Sequence, residues 1–409
     1  MLNMHIQKIL IMASLCGLVL VLGNCMSEKT RVEDPRGKEY AGSAKCKSCH
    51  LTIYTSYTKT AHDASSAPAS KQTIKGSFAE GSNVLFYRSA LKVTMKQTDS
   101  GYYQVASIDD IERQAARFDI VIGSGRKGQS YLSWFNENIF QLPVSYYVPE
   151  KKWMNSPGYP PGHVLFNRNI PVGCFECHSS FIKKTATKPA GDYLIDYFDK
   201  RQISYGIDCE RCHGPAAAHV DFHENNPGEK RPMFITHIAG LARQQKLAMC
   251  AACHSGARET KMPAFYYKPG AGLDDYYQPD ESEPDVSQVD VHGKQYQLLL
   301  ASKCFRKSEN LTCSSCHNTH VKERDDIKTF SARCMNCHTH PDHSSLKMTA
   351  STQLDITTNC IDCHMPARPS AVITMQSQTR KAPLPALVRT HYISIYRKET
   401  GKFLDHPGR

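Results

Sequence analysis

The chain has 409 residues, 40% of them hydrophobic and 22% charged, with 50 Lys and Arg against 39 Asp and Glu. These figures exclude a collagen, a wholly disordered chain and a multi-span membrane protein, since no stretch after residue 25 approaches the ~20 apolar residues of a spanning helix. The length suggests two or three domains. The unusual figure is the 17 Cys.

In chain order, the first element is a targeting segment. Residues 1–8 hold Lys8 and no acid, and 9–22 is an unbroken run of 14 apolar or small residues that includes Cys16. That suits a signal sequence better than a membrane span. No A-x-A site follows. Instead, Leu22-Gly-Asn-Cys25 resembles the lipobox of bacterial lipoproteins, in which cleavage before the Cys would leave a lipidated Cys25. Ordinary signal cleavage nearby and a retained anchor are the alternatives. Each of them puts the mature chain outside the cytoplasm, in the periplasm or outer cell envelope of a bacterium. Residues 1–24 are therefore read as a lipoprotein signal peptide and 25–39 as a polar tether.

From residue 46 onward one pattern recurs. C-x-x-C-H occurs seven times: Cys46, Cys49, His50; Cys174, Cys177, His178; Cys209, Cys212, His213; Cys250, Cys253, His254; Cys313, Cys316, His317; Cys334, Cys337, His338; and Cys360, Cys363, His364. Random order would give about 0.03 copies. The spacing fits covalent attachment of c-type haem. Two thiols on one turn reach the two vinyl groups of one haem, and the adjacent His faces the iron as proximal ligand. Zinc sites pair C-x-x-C half-sites at characteristic separations, whereas these copies start 128, 35, 41, 63, 21 and 26 residues apart. Thioredoxin-like motifs and structural disulfides have no need of the His. Seven covalently attached haem c groups are the expectation. Cys304, the remaining thiol, reads as a buried, inert Cys.

The stretch between the first two motifs reads as β. Segments at 84–87, 91–95, 102–105, 118–122, 130–135 and 142–147 are short, β-branched or aromatic, with Gly or polar pairs between several of them. Gly123-Ser-Gly-Arg-Lys-Gly128 fits G-x-G-x-x-G loosely but lacks a βαβ setting, so it reads as a turn. Residues 155–162 form a Pro- and Gly-rich loop. Beyond 173 the motifs are dense, and short helices fit at 192–205, 239–250 and 286–307. The expected fold class is α+β: a haem-organised multihaem chain of short helices with an inserted antiparallel β-rich segment. Its divisions are a first haem segment at 40–66, the β-rich insertion at 67–172 and a six-haem helical and loop region at 173–409. Seven large macrocycles in place of side-chain core fit the two Trp and the mean hydropathy of −0.46.

Axial ligands decide between carrier and enzyme, because an iron with two protein ligands passes electrons and an iron with an open position can bind a small molecule. Of 19 His, seven are proximal, His5 is in the signal, and eleven remain: His62, His163, His219, His223, His237, His292, His320, His340, His343, His391 and His406. His62, His219, His237, His292, His320 and His391 are the distal candidates. His320 is too close to His317 to reach the far face of the same haem and suits a neighbour. His219 and His223 share a helix face at i and i+4; one can be a ligand, and both on one iron do not fit.

Tyr40-Ala-Gly-Ser-Ala-Lys before the first motif, then Tyr54 and Thr60-Ala-His62, resemble the opening of the cytochrome c-554/c-prime multihaem family. That resemblance implies an axial role for His62. Gly-Pro-Ala-Ala-Ala-His219 and Asn-Thr-His320 look like further elements of such cytochromes. The final motif with Met-Pro and then Arg389-Thr-His391 is similar to the C-terminal part of the wider nitrite reductase/hydroxylamine oxidoreductase superfamily, which implies a distal His391. Seven motifs exceed the four of cytochrome c-554, and the β-rich segment looks like an insertion. No C-x-x-C-K occurs, so the lysine-ligated catalytic haem of the nitrite reductases is absent.

The formal charge is +11, or +10 without Lys8. Propionates would bring it to about +3 with seven ferric haems and about −4 when reduced. The Lys and Arg excess therefore reads as propionate partners, and no basic run points to nucleic acid. The expected function is an exported electron relay with mostly bis-His haems, serving redox proteins of the cell envelope and tied to the membrane by a lipid on Cys25. The alternative is an oxidoreductase acting on a small nitrogen or sulfur oxyanion at one five-coordinate haem, with Arg168, Arg211 and Arg243 available for anion affinity.

Overall fold

The computed structural model describes residues 33–87, 90–160, 162–279, 285–289, 294–346, 356, 358–375 and 383–405. The signal segment, Cys25 and His292 lie outside the described residues. Among the described residues no helix is long and apolar enough to cross a membrane. The fold is α+β: short helices around two antiparallel sheets and two long hairpins.

The β-rich stretch forms the two sheets. A four-stranded meander runs Val84–Phe86, Leu91–Thr98, Gly101–Ile108 and Ile111–Arg117. A seven-stranded sheet orders Ser66–Pro68, Ile120–Ile122, Gly128–Phe135, Asn138–Gln141 and Arg168–Asn169, with Val144–Tyr147 and Lys152–Asn155 branching from Gly128–Phe135. All six segments read as β from the sequence contain strand. Five strands of these sheets were not foreseen: Ser66–Pro68, Ile111–Arg117, Asn138–Gln141, Lys152–Asn155 and Arg168–Asn169. Ile111–Arg117 is almost wholly exposed, and is a strand because Asp109 and Asp110, both at positive φ, turn the chain back onto Gly101–Ile108. The glycine-rich 123–128 stretch is the turn expected of it, with Gly123 and Gly125 at φ +102° and +71°.

An aromatic core joins the sheets. Phe118 and Tyr131 meet edge to face at 4.7 Å, and both pack against Trp153. Buried Gln104 clamps the meander to the larger sheet, donating to the Val144 carbonyl (2.6 Å) and accepting from its N–H (2.9 Å).

The expected helix at 192–205 is instead a strand, Tyr193–Tyr205, paired along its length with Ser179–Ala190. Gly191 at φ +64° makes the turn. The aromatic and β-branched run favours a strand, and Phe198 is fully buried against Phe175, Trp134 and Ile182. This packing fixes the helix Val172–His178, which carries the second C-x-x-C-H. The expected helix at 239–250 lies at Arg243–His254. The one at 286–307 is two short helices, Gln295–Ala301 and Lys303–Lys307, broken at the extended Ser302.

A buried serine and glycine junction holds three distant segments together. Ser66 Oγ lies 2.7 Å from Ser179 Oγ and accepts from the Gly206 N–H at 3.0 Å, while Ser180 Oγ donates to the Gly206 carbonyl at 2.9 Å. Ile207 N donates to the His62 carbonyl at 2.9 Å. Gly206 sits at φ +66°, and a Cβ there would fall 2.1 Å from the Asp63 carbonyl oxygen. Gly206→Ala should therefore cost about 2 kcal/mol or more, read as a lowered midpoint in thermal unfolding, whereas Gly191→Ala, with open space around its Cβ, should lose less.

Candidate functional site

Every C-x-x-C-H lies on a helical turn. The turns are Ser43–Cys49, Val172–His178, Cys209–His213, Arg243–His254, the single turn Cys313–Ser315, the end of Ile327–Met335, and Ile361–His364. The His N–H closes back onto the carbonyl of the first Cys in the first, fifth, sixth and seventh copies, at 2.8–3.0 Å. This local geometry brings both thiols to one side of the turn.

Five motif histidines face a histidine from elsewhere in the chain. His50 faces His219 (6.4 Å between ring centres, 14° between planes), and His254 faces His62 (6.2 Å, 77°). His213 faces His320 (6.1 Å, 26°), His317 faces His391 (6.2 Å, 29°), and His364 faces His343 (6.2 Å, 53°). Two metal–imidazole bonds of about 2.0–2.1 Å, plus about 1.1 Å from each nitrogen to its ring centre, require roughly 6.3 Å. The gap in all five pairs is the gap for one metal ion between two imidazoles.

Hydrogen bonds orient several of these rings. His219 Nδ1 bonds the Met233 carbonyl at 2.8 Å and His364 Nδ1 the Ser394 carbonyl at 2.9 Å, which turns Nε2 toward the facing ring. Burial pushes His254 and His391 down to about 4, and lowers His62, His213 and His317. These imidazoles are neutral at physiological pH, the form that ligates a metal. His254 and His317 nonetheless keep accessible surface.

His62, His219, His320 and His391, picked out from the sequence, each face a motif histidine. His237 faces none among the described residues. His343 was not among the distal candidates; it lies in a coil five residues past His338, and no spacing signal distinguishes it. Among the described residues no imidazole faces His338, and both His338 and Cys337 are exposed. His178 is half-buried, and its carbonyl accepts from Ser65 Oγ at 2.8 Å.

The motifs also pack on one another, out of chain order. The first packs on the third, where the Cys46 and Cys209 thiols are neighbours. In the same way Cys177 meets Cys253, Cys250 meets Cys313, and Cys334 meets Cys360. Arginines tie further motifs: Arg211 Nη2 donates to the Glu176 carbonyl at 3.1 Å and Arg333 Nη1 to the Cys316 carbonyl at 2.6 Å. The arginines expected to serve an anion are committed to backbone oxygens, Arg168 to Pro157, Arg211 to Glu176 and Arg243 to Leu311 and Phe305.

The variable residues inside the motifs act as anchors. Glu210, between Cys209 and Cys212, accepts N–H bonds from Ala41, Gly42 and Ala216 at 2.8–2.9 Å. Burial raises its carboxyl, opposed by those N–H groups and Arg36. Arg36, with a side chain only 5% exposed, bonds Asp34 (2.8 and 2.9 Å), Asp208 (3.1 and 2.7 Å) and Glu210 (3.0 Å). Asp208 in turn caps the third motif's helix through the Arg211 N–H (3.0 Å). This network sets the first motif against the third.

No family model matches the chain. Over an aligned length of 183 residues it is 24% identical to the multiheme cytochrome MtrA of Shewanella baltica (strain OS185), a match covering 40% of this chain and 51% of that protein. The chain thus spans about half the length of that curated relative. It shares its fold with the outer cell wall cytochrome OcwA, at a TM-score of 0.54 and 16% identity, over 91% of this chain and 84% of that one.

Removing the Arg36 side chain would leave Asp34, Asp208 and Glu210, clustered and largely shielded from water, without the guanidinium that faces all three. Arg36→Leu should cost about 3–5 kcal/mol in denaturant unfolding. Lys45→Ala, which breaks only the exposed 3.4 Å pair with Glu224, should cost under about 1 kcal/mol.

Proposed function

We propose that this protein is an exported seven-haem c-type cytochrome that relays electrons between redox proteins of the cell envelope. The observation that carries the reading is the set of five facing imidazole pairs, each joining a C-x-x-C-H histidine to a histidine outside any such motif. In this reading the fourteen motif cysteines form thioethers to seven haems and the motif histidines are the proximal ligands. His62, His219, His320, His391 and His343 are distal ligands. The likeness to cytochromes MtrA and OcwA supports the class.

Haem supplies a one-electron couple at each motif. The chain's own contribution is arrangement. His320 lies just after the fifth motif yet serves the third, His219 lies after the third yet serves the first, and His62 lies after the first yet serves the fourth. Each distal ligand thereby draws one motif against another. Together with the paired thiols and the Arg333 bond to the Cys316 carbonyl, this gives a route of motifs 1–3 and 2–4–5–6–7, with the branches meeting through His62 and His320. Bis-His ligation leaves those irons without a free position, which suits transfer without bond chemistry. The run at 9–22 and the Leu-Gly-Asn-Cys25 sequence support export and a lipid on Cys25, which places the relay in the periplasm or outer envelope.

A second reading draws on His338, which stands exposed without a facing imidazole among the described residues. An iron there would keep one position for a small ligand, such as a nitrogen or sulfur oxyanion. Because Arg168, Arg211 and Arg243 are engaged elsewhere, any anion affinity would come from other groups.

Intact-mass and alkaline pyridine measurements on the purified holoprotein should give seven haems; far fewer would sink the relay. His62→Ala, His320→Ala and His343→Ala should each convert one low-spin haem to high-spin in the oxidised electron paramagnetic resonance spectrum, and His237→Ala should convert none. Carbon monoxide should bind the reduced wild type at one haem if the second reading holds, and at none if every iron has two protein ligands.

A further inference from the structure

The helix Ala217–Asn225 carries two histidines one turn apart, and they are not equivalent. His219 faces His50 and is oriented by the Met233 carbonyl. His223 stands beside it, ring centres 4.6 Å apart, with Phe222 edge-on at 5.2 Å. Phe222 is itself held by Phe234 at 5.3 Å. The Nε2 of His223 is shut off from solvent and has no hydrogen-bond partner in the protein. Native proteins rarely leave such an atom unsatisfied. The nearby acid Glu224 is turned to Lys45 at 3.4 Å. A single iron between His50 and His219 has no position left for a third imidazole. The remaining acceptors of a haem are its two propionate carboxylates.

We propose that His223 donates its Nε2–H to a propionate of the haem attached at Cys46 and Cys49, and so raises that haem's reduction potential. The proposal rests on the haem reading above. The physical reason is electrostatic: a carboxylate relieved of part of its charge by a donor favours ferric iron less. His223 is a positioning and tuning residue, one turn removed from the ligand.

The test is a redox titration of the holoprotein, with the first haem identified by the low-spin signal that His219→Ala abolishes. His223→Phe keeps a ring and removes the donor. At a fixed potential near that haem's midpoint, its reduced-to-oxidised ratio should fall by about three- to tenfold, the range set by one net hydrogen bond. His223→Gln, which keeps an N–H donor, should restore the ratio to within about twofold. No change in His223→Phe, or an equal change in His223→Gln, overturns the proposal. It also fails if His219→Ala stays low-spin through capture of the iron by His223. A haem count in every variant separates the two levels: too few haems in the wild type defeats the cytochrome reading, and seven haems with an unmoved potential defeats this inference alone.

Discussion

The constraint on which the rest of the structure depends is the facing of two imidazoles across a gap of about 6 Å, one ring supplied locally and the other from far along the chain. The local ring is cheap to build, since a C-x-x-C-H turn fixes it by its own backbone hydrogen bonds. The distant ring is not, because it must arrive from another segment with its free nitrogen correctly aimed. Much of the packing described above serves that delivery. The junction of Ser66, Ser179, Ser180 and Gly206 holds the backbone around His62, and Ser302 Oγ donates to the His391 carbonyl at 2.9 Å while accepting from the Ile393 N–H at 2.8 Å. None of these five residues is itself a candidate ligand. They fix the backbone on which His62 and His391 stand.

The charges follow the same logic. Buried carboxylates and guanidiniums are costly unless paired and hydrogen-bonded. Here Arg36 with Glu210, and Arg333 with Glu323 and the Cys316 carbonyl, register one motif against another, while Arg389, with Asp362 at 2.6 Å and the Met365 carbonyl at 3.2 Å, holds the strand Leu384–Arg389 against the seventh motif. Their directionality fixes orientation in a chain with little apolar core around its motifs. The apolar core lies elsewhere, in the two sheets around Phe118, Tyr131 and Trp153, which serve as a rigid block against which the second motif is set.

The motifs were fully legible in the sequence because their chemistry demands fixed local spacing. The strands at 84–147 were legible where they carry β-branched and aromatic residues, and illegible at Ile111–Arg117, whose residues carry one β-branched side chain and no aromatic ring and owe their conformation to a neighbour. The 192–205 segment misled because the expectation of helices between dense motifs overrode its aromatic and β-branched residues, which with the burial of Phe198 set it as a strand. Distal ligands are the hardest to read. His62, His219, His320 and His391 stand near motifs or in family-like surroundings. His343 has no such context, since the pairing that distinguishes it exists only in three dimensions. Pairing of one motif with another is likewise invisible, because it joins residues from different segments and follows no fixed spacing, as with Cys46 and Cys209 against Cys334 and Cys360.

The pairs His50–His219 and His62–His254 each enclose well over a hundred and fifty residues, and the second interlocks with the first. Such ring closures cannot form until the later partner has been delivered. A chain threaded across a membrane from its N-terminus would therefore hold its first motif half-ligated through more than a third of its passage. In the haem reading proposed above, the metal face left open in that interval would be vulnerable to oxidants and stray ligands. On that reading the architecture ties the quality of the finished conductor to the protection given to an unfinished one, and the segment around residues 219–254 is the point at which the early part of the molecule would first become safe.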